Sequence, residues 1–264
     1  MKYGITHLSQ ISMREKPTHQ SQLVSQLLFG DVYQVEEVFD DWLKIKTLDC
    51  GYEGFIEKKV WREMAEDDVT EYQSLEKYVV PIVFLFVNEL KTDLFFPVFI
   101  GSSFPIPKNN LFVMGGSVYK VIIPEEKEVE KISGLTDTQS LLIEFASVFL
   151  YAPYLWGGRT PAGIDCSAFV QLVFKRLNIL LPRDTSQQVN YGTQIDFQSE
   201  WQAGDLAFFG DDENQITHVG IICNSDTILH ASGLVDIDTI DTTGIYSEKL
   251  KQYTHKLRVV KRIL

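Results

Sequence analysis

The sequence predicts a C-terminal α+β region, with helices packed on an antiparallel sheet, preceded by two small β-barrels. Three observations carry that expectation. Through residue 122 the chain runs in short apolar stretches broken by turn residues roughly every 8–12 positions, the pattern of small barrels. From residue 137 apolar residues recur at helical spacing. Beyond residue 204 three short apolar runs read as strands. The expected regions are 1–62, 63–134 and 135–264.

In the first region, "DVYQVEEVF" (31–39) and "WLKIK" (42–46) are joined by Asp40-Asp41, a two-residue hairpin connection. "LDCGYEGFI" (48–56) adds a glycine turn and a further strand. The acidic "REMAEDDVTEY" (62–72) reads as a boundary segment. "VVPIVFLFV", "DLFFPVFIG", "LFVMGG" and "SVYKVII" repeat the short-strand style, and the charged "IPEEKEVEKISG" (123–134) reads as an exposed connection. In "TDTQSLLIEFASVFLYAP" the residues Leu141, Leu142, Phe145, Val148 and Phe149 make a helix face that stops before Pro153. A glycine-rich loop, "YLWGGRTPAGID", leads into a second helix, "CSAFVQLVFKRL". Its apolar face is Phe169, Val170, Val173, Phe174 and Leu177. "GDLAFF", "HVGIIC" and "TILHAS" are the expected strands.

Composition narrows the function. With 45% hydrophobic and 23% charged residues, 264 residues supply ample core. A net charge of −12 argues against a nucleic-acid partner, which needs clustered Lys and Arg. Cys50, Cys166 and Cys223 cannot all pair within one chain, so no disulfide framework is expected, which fits a reducing compartment. "MKYGITHLSQISMREKP" has no apolar leader core, and "VVPIVFLFV" is too short to span a bilayer. The expectation is a cytoplasmic monomer with no membrane partner. A periplasmic or extracellular form stripped of its leader would read the same.

Cys166 stands where the second helix begins. Asp165 suits the N-cap, so the thiol lies in the first turn, where unpaired N–H groups and the helix dipole favour an anion. Its pKa is expected to fall and the sulfur to become nucleophilic. A thiolate needs a base, and the base an orienting group. His218 and His230 are both six residues from Asn224, so a hairpin centred there makes them cross-strand neighbours, with Cβ atoms roughly 4.5–5.5 Å apart. The symmetric hairpin does not say which is the base. Zinc is the rival use of these atoms, but no Cys-x-x-Cys or His-x-x-x-His spacing supports it. His7, His19 and His255 read as exposed and are assigned no role.

"YLWGGRTPAGIDCSAFVQLVF", "LPRDTSQQ", "WQAGDLAFFG", "THVGIIC" and "ILHASG" resemble, in order, the motifs of NlpC-type, papain-like cysteine peptidases, over about residues 137–264. "MREKPTHQSQLVSQLLFGD", "DDW" and "GYEGFI" resemble a bacterial SH3-like domain, and the second barrel region is a weaker match to the same type. Tandem SH3-like domains before such a peptidase resemble the γ-D-glutamyl-L-diamino acid endopeptidases of murein-peptide recycling. The resemblance implies Cys166 as nucleophile, His218 as base and His230 as orienting residue, with no metal or cofactor. It implies substrate contacts from Tyr154, Asp165, Ser167 and Asp184, and from Glu15 and Tyr52 of the first barrel, in a closed pocket that reads a free amino terminus. One departure is Ala168, where many relatives have glycine. The implied reaction cuts the bond between D-Glu and a diamino acid, meso-diaminopimelate or L-Lys, in peptides such as L-Ala-γ-D-Glu-diaminopimelate. The alternatives are an exported hydrolase of polymeric wall and a wall-binding module whose third domain is silent. Retention of Cys166, His218 and His230 speaks against the silent module.

Overall fold

The turn chemistry at Asp40-Asp41 does what its sequence suggests. Phe39 pairs with Trp42 and Asp40 takes a positive φ of 35°, closing the hairpin between Val32–Phe39 and Trp42–Thr47. The structure is a computed structural model that describes residues 1–122, 138–210 and 215–264. The charged connection expected at 123–134 lies outside the described residues. The chain divides into two compact units, Met1–Gly134 with Gly157–Thr160, and Leu135–Trp156 with Pro161–Leu264.

The first unit opens with strands β1 (Lys2–Ile5), β2 (Gln10–Arg14), β3 (Leu23–Leu28), β4 (Val32–Phe39), β5 (Trp42–Thr47), β6 (Glu53–Glu57) and β7 (Glu63–Met64). They form one antiparallel sheet in the order β3-β2-β6-β5-β4-β1-β7, the β-barrel that the alternating pattern predicts. Bulges at Met13/Arg14 and Val35/Glu37 bend its strands. Ile11, Met13, Leu27, Leu43, Ile45 and Ile56 fill its centre. Arg159 belongs to this unit through β14 (Arg159–Thr160). Its guanidinium donates to the Gln26 carbonyl at 2.8 Å and pairs with Asp31 at 3.3 Å.

The acidic stretch is a packed helix, α1 (Glu66–Ser74). Its acids face water, while Val69 and Tyr72, three apart, face inward. The Tyr72 hydroxyl donates toward the carbonyls of Gly30 (3.0 Å) and Ser103 (3.2 Å). Gly30, at φ +89°, must be glycine, since a Cβ there would lie 1.7 Å from the Ser103 oxygen. Beyond α1 come β8 (Lys77–Val79), β9 (Phe84–Glu89), β10 (Leu94–Phe99), β11 (Ser103–Pro105), β12 (Leu111–Met114) and β13 (Ser117–Ile122). They make a four-stranded sheet, β10-β9-β13-β12, and a pair, β11-β8. Val87, Val98, Phe104, Phe112 and Tyr119 from this part share one core with Ile5, Phe29 and Val32 of the first. Arg62 ties the two parts by polar contacts, at 3.0 Å to Glu89 and 2.7 Å to the Tyr119 hydroxyl.

The second unit contains α2 (Thr138–Ser147), β15 (Gly163–Ile164), α3 (Cys166–Lys175) and the short α4 (Thr185–Gln188). It continues with β16 (Thr193–Ile195), β17 (Leu206–Phe209), β18 (His218–Ile222), β19 (Thr227–Ser232), β20 (Leu234–Ile240), β21 (Gly244–Ser247) and β22 (Gln252–Arg262). The antiparallel order is β16-β22-β17-β18-β19-β20-β21, and β21 also pairs with β22, so the sheet closes on itself. Ala207, Phe209, Ile222, Ile228, Ile240, Ile245 and Val260 pack together in this sheet. α3 lies against β18 and β19, and α2 against α3. Every residue of α3 is buried, more than its one apolar face predicts. Its polar Gln171 donates to the Leu181 carbonyl at 2.9 Å. No helix among the described residues is long and apolar enough to cross a membrane.

Candidate active site

Asp165 caps α3 as its residue type predicts, accepting from the Ala168 N–H at 2.8 Å. Both its oxygens also receive the Arg183 guanidinium, at 3.0 and 2.5 Å, and Arg183 donates to Ser167 Oγ at 2.7 Å. All three residues are buried, so Asp165, Ser167 and Arg183 form one fork-on-carboxylate network under the first turn. Arg183 was not read as a site residue; its only sequence signal is its place beside Asp184 in "LPRDTSQQ". Ala168 is fully buried in the same turn and fits without displacement of the cap.

Cys166 follows the cap, buried, with its sulfur 3.9 Å from Thr185 Oγ1 at the start of α4. A backbone hydrogen bond from Val219 also reaches it, which places the sulfur beside the residue next to His218. The expected fall in the thiol pKa is corrected by this environment. Burial pushes the Cys166 thiol up and the Asp165 carboxylate adds to it; Thr185, Val219 and Arg183 oppose this without reversing it.

The histidines are brought together, but not directly across the hairpin. Gly220, not His218, is the partner of His230, because the turn is centred one residue later than Asn224. His218 and His230 are therefore diagonal neighbours on one face, and their rings span the longer separation, with Nε2 of His218 3.0 Å from Nδ1 of His230. Gly220 opens this path. A Cβ there would come within 2.9 Å of the His230 Cβ. Two residues the sequence reading missed complete the cluster. Asp238 on β20 lies 3.2 Å from His230 Nε2, again one diagonal step across the sheet. Its only signal is the alternation in "LVDIDTI". His255, read as exposed, is half-buried on β22, with its ring stacked on His218 at 4.2 Å between centroids and 27° between planes. Burial and the charges of His230 and His255 push the His218 pKa well down, so it stands as a neutral imidazole.

The nitrogens of His218, His230 and His255 lie within 4.8 Å of one another, a metal-ligand spacing. The orientation does not suit a metal. Ring lone pairs lie in the ring plane, and stacked rings cannot both aim them at one ion. The cluster fits a hydrogen-bonded relay instead.

Of the remaining expected residues, Tyr154 is half-buried close enough to feel Cys166 and Asp165, and burial, followed by those two charges, raises its hydroxyl pKa to about 12. Asp184 is half-buried at the start of α4, and its side chain makes no capping bond there. Glu15 is exposed just past β2, and Tyr52 packs half-buried on the barrel core; both belong to the first unit.

A buried thiol at a helix start, a neutral imidazole on the adjoining strand and a second imidazole behind it define a cysteine peptidase of papain-like arrangement. The comparisons agree. Residues 151–258 match the NlpC/P60 family and residues 13–59 the bacterial dipeptidyl-peptidase SH3 domain. The chain carries an NlpC/P60-family cysteine peptidase domain with an SH3-like domain before it. It is similar to the gamma-D-glutamyl-L-lysine dipeptidyl-peptidase of Bacillus cereus, 24% identical over 257 residues covering 88% of this chain and 74% of that protein. The Bacillus subtilis protein of that name is 26% identical over 238 residues, covering 86% and 78%. The crystal structure of an NlpC/P60 family protein from Bacillus cereus covers all of both chains at a TM-score of 0.83 and 19% identity, a likeness of fold.

Proposed function

We propose that the protein hydrolyses the γ-D-glutamyl–diamino acid bond of murein peptides that carry a free N-terminal L-Ala. The observation that carries this reading is Cys166 at the start of α3, packed on the strand whose His218 is hydrogen-bonded to His230. Cys166 is the nucleophile. His218 takes its proton, through Nδ1, since Nε2 is engaged with His230. His230 orients it. Attack on the γ-carbonyl gives a tetrahedral oxyanion beside the Cys166 N–H, one of the first-turn donors that a helix leaves without an internal partner. The amine leaves, and water releases the acyl group. Tyr154, Asp165 and Ser167 border the thiol, and Asp184 is the proposed carboxylate for the substrate ammonium. Glu15 and Tyr52 are candidates from the barrel. The finer reading of the β-sheet region after α1 as a second SH3-like barrel, and of the protein as a monomer acting in wall-peptide recycling, belongs to this proposal.

The test is incubation of L-Ala-γ-D-Glu-diaminopimelate and its L-Lys counterpart with the protein, followed by mass spectrometry. The expected products are L-Ala-γ-D-Glu and the free diamino acid, with the N-acetylated peptide and intact sacculi left uncut. Equal rates on free and blocked peptides would remove the amine requirement and favour an exported wall hydrolase. Absence of cleavage in every substrate would favour the binding module.

A further inference from the structure

We propose that Asp238 is the fourth member of the relay, a positioning residue that sets the tautomers of both histidines; this rests on the reading of His218 as base.

The chain of contacts is explicit. Asp238 Oδ2 lies 3.2 Å from His230 Nε2, and His230 Nδ1 lies 3.0 Å from His218 Nε2. A carboxylate can only accept, so His230 carries its proton on Nε2. A neutral His230 then presents a lone pair at Nδ1. His218 must donate to it from Nε2, which leaves Nδ1 of His218 unprotonated and able to receive the thiol proton. Without an acceptor at Asp238, His230 is free to protonate Nδ1 instead. His218 Nε2 must then accept, its proton moves to Nδ1, and the nitrogen intended as base carries a hydrogen. The choice at one end of the relay fixes the state of the other.

The register makes the arrangement a property of the sheet. His230 is paired with Gly220 on one side and Asp236 on the other, so His218 and Asp238 each sit one diagonal step away on the same face. The three side chains form a line across β18, β19 and β20. Asp236, the nearer acid by register, is engaged with Lys249 and does not compete. The charged and titratable groups around the pair are Asp238 and Asp236 from β20, Lys249 through Asp236, and His255 from β22, while Cys166 lies on α3, which packs against β18 and β19. His230 is buried while Asp238 retains 18% of its side-chain exposure, so the carboxylate borders solvent at one edge.

The experiment compares Asp238→Asn, Asp238→Ala and Asp238→Glu with His218→Ala, in the full chain, on the peptide that the wild-type protein cleaves. The expected result is a fall in kcat of about 10–100-fold with KM unchanged, below the ~10²–10⁴-fold that proton transfer itself supplies. Asn is expected to be no better than Ala, although it is nearly isosteric, because its amide can donate to His230 Nε2 and favour the wrong tautomer. Glu, which keeps the acceptor, should restore part of the rate. The carboxylate favours the protonated pair, so its removal should move the acid limb of kcat/KM to lower pH. A structural role would make Asn the mildest change and leave that limb in place. Near-normal kcat in Asp238→Asn, or a loss confined to KM, overturns the proposal while an inactive His218→Ala leaves the base assignment intact. An active His218→Ala overturns the base assignment, and the relay with it. Should Asn unfold in a thermal melt, Glu against Ala and their pH profiles decide the matter.

Discussion

Cys166 and His218 are both driven toward their neutral forms, one upward and the other downward. Little thiolate–imidazolium pair is therefore expected in the resting protein, and the proton should move when substrate arrives. The sign of the pH dependence follows. Alkylation of Cys166 by iodoacetamide should rise only above the ordinary thiol range near pH 8.5–9, while neutral His218 should persist well below pH 6.5. A fast alkylation plateau at pH 5–6 would show a preformed ion pair instead. Cys166→Ser should abolish turnover with little change in stability, and more than a few per cent residual activity would remove it as nucleophile. Activity should also survive excess chelator. At Gly220 an added methyl meets the His230 Cβ at 2.9 Å and Ile228 at 2.7 Å. Gly220→Ala should lose about 1–3 kcal/mol in a urea melt and at least tenfold in kcat. A neutral outcome would mean that the histidine line tolerates a shift. Cys166, His218 and His230 were legible in the sequence because a capped helix start and two histidines around a turn are local patterns. Asp238 and His255 were not, since register and sheet closure bring them in.

Helix α3 is secured at its first turn by buried charge. Asp165 serves as cap and as counter-ion to Arg183, and removing it leaves a guanidinium buried without its carboxylate. Asp165→Ala should cost about 3–5 kcal/mol, in the range for breaking a buried pair. Asp165→Asn, which keeps an acceptor for the Ala168 N–H, should cost less. Equal losses in chemical denaturation would mean that the cap bond to Ala168 contributes nothing and that the pairing with Arg183 carries the whole effect. Prediction from sequence served this element well for its position and its cap. It failed for its burial, because the contribution of β18, β19 and α2 to its surroundings is set by topology rather than by its own periodicity. The same limit applies to α1. Its run of acids reads as a boundary segment and does not reveal that Val69 and Tyr72 are buried.

The first unit behaves as one body in its packing, with a core that runs from Ile5 and Phe29 to Val98 and Tyr119. A fragment of residues 1–62 would expose that shared surface and lose the Arg62 contacts, so it should be much less structured in circular dichroism than residues 1–122. A fully cooperative melt of the shorter fragment would contradict this. Within the unit, burial raises the Glu89 carboxyl, but hydrogen bonds from Ser117, Thr92 and Arg62 and the Arg62 charge hold it down to about 2. A depressed carboxylate stabilises the fold above its unfolded pKa, near 4.3–4.5, and that contribution disappears as pH falls toward 2. Glu89→Gln should flatten the loss of stability across this window, measured by melts at successive pH values. In the second unit the ring of strands closes only through β22, which pairs with β16, β17 and β21 and carries His255 onto His218. Translation delivers Cys166 long before this strand leaves the ribosome. A nascent chain that has emerged only to residue 251 holds the nucleophile and both relay histidines, yet lacks the seam that fixes their strands. The order of synthesis thus brings out the nucleophile and both relay histidines before the strand that closes their sheet.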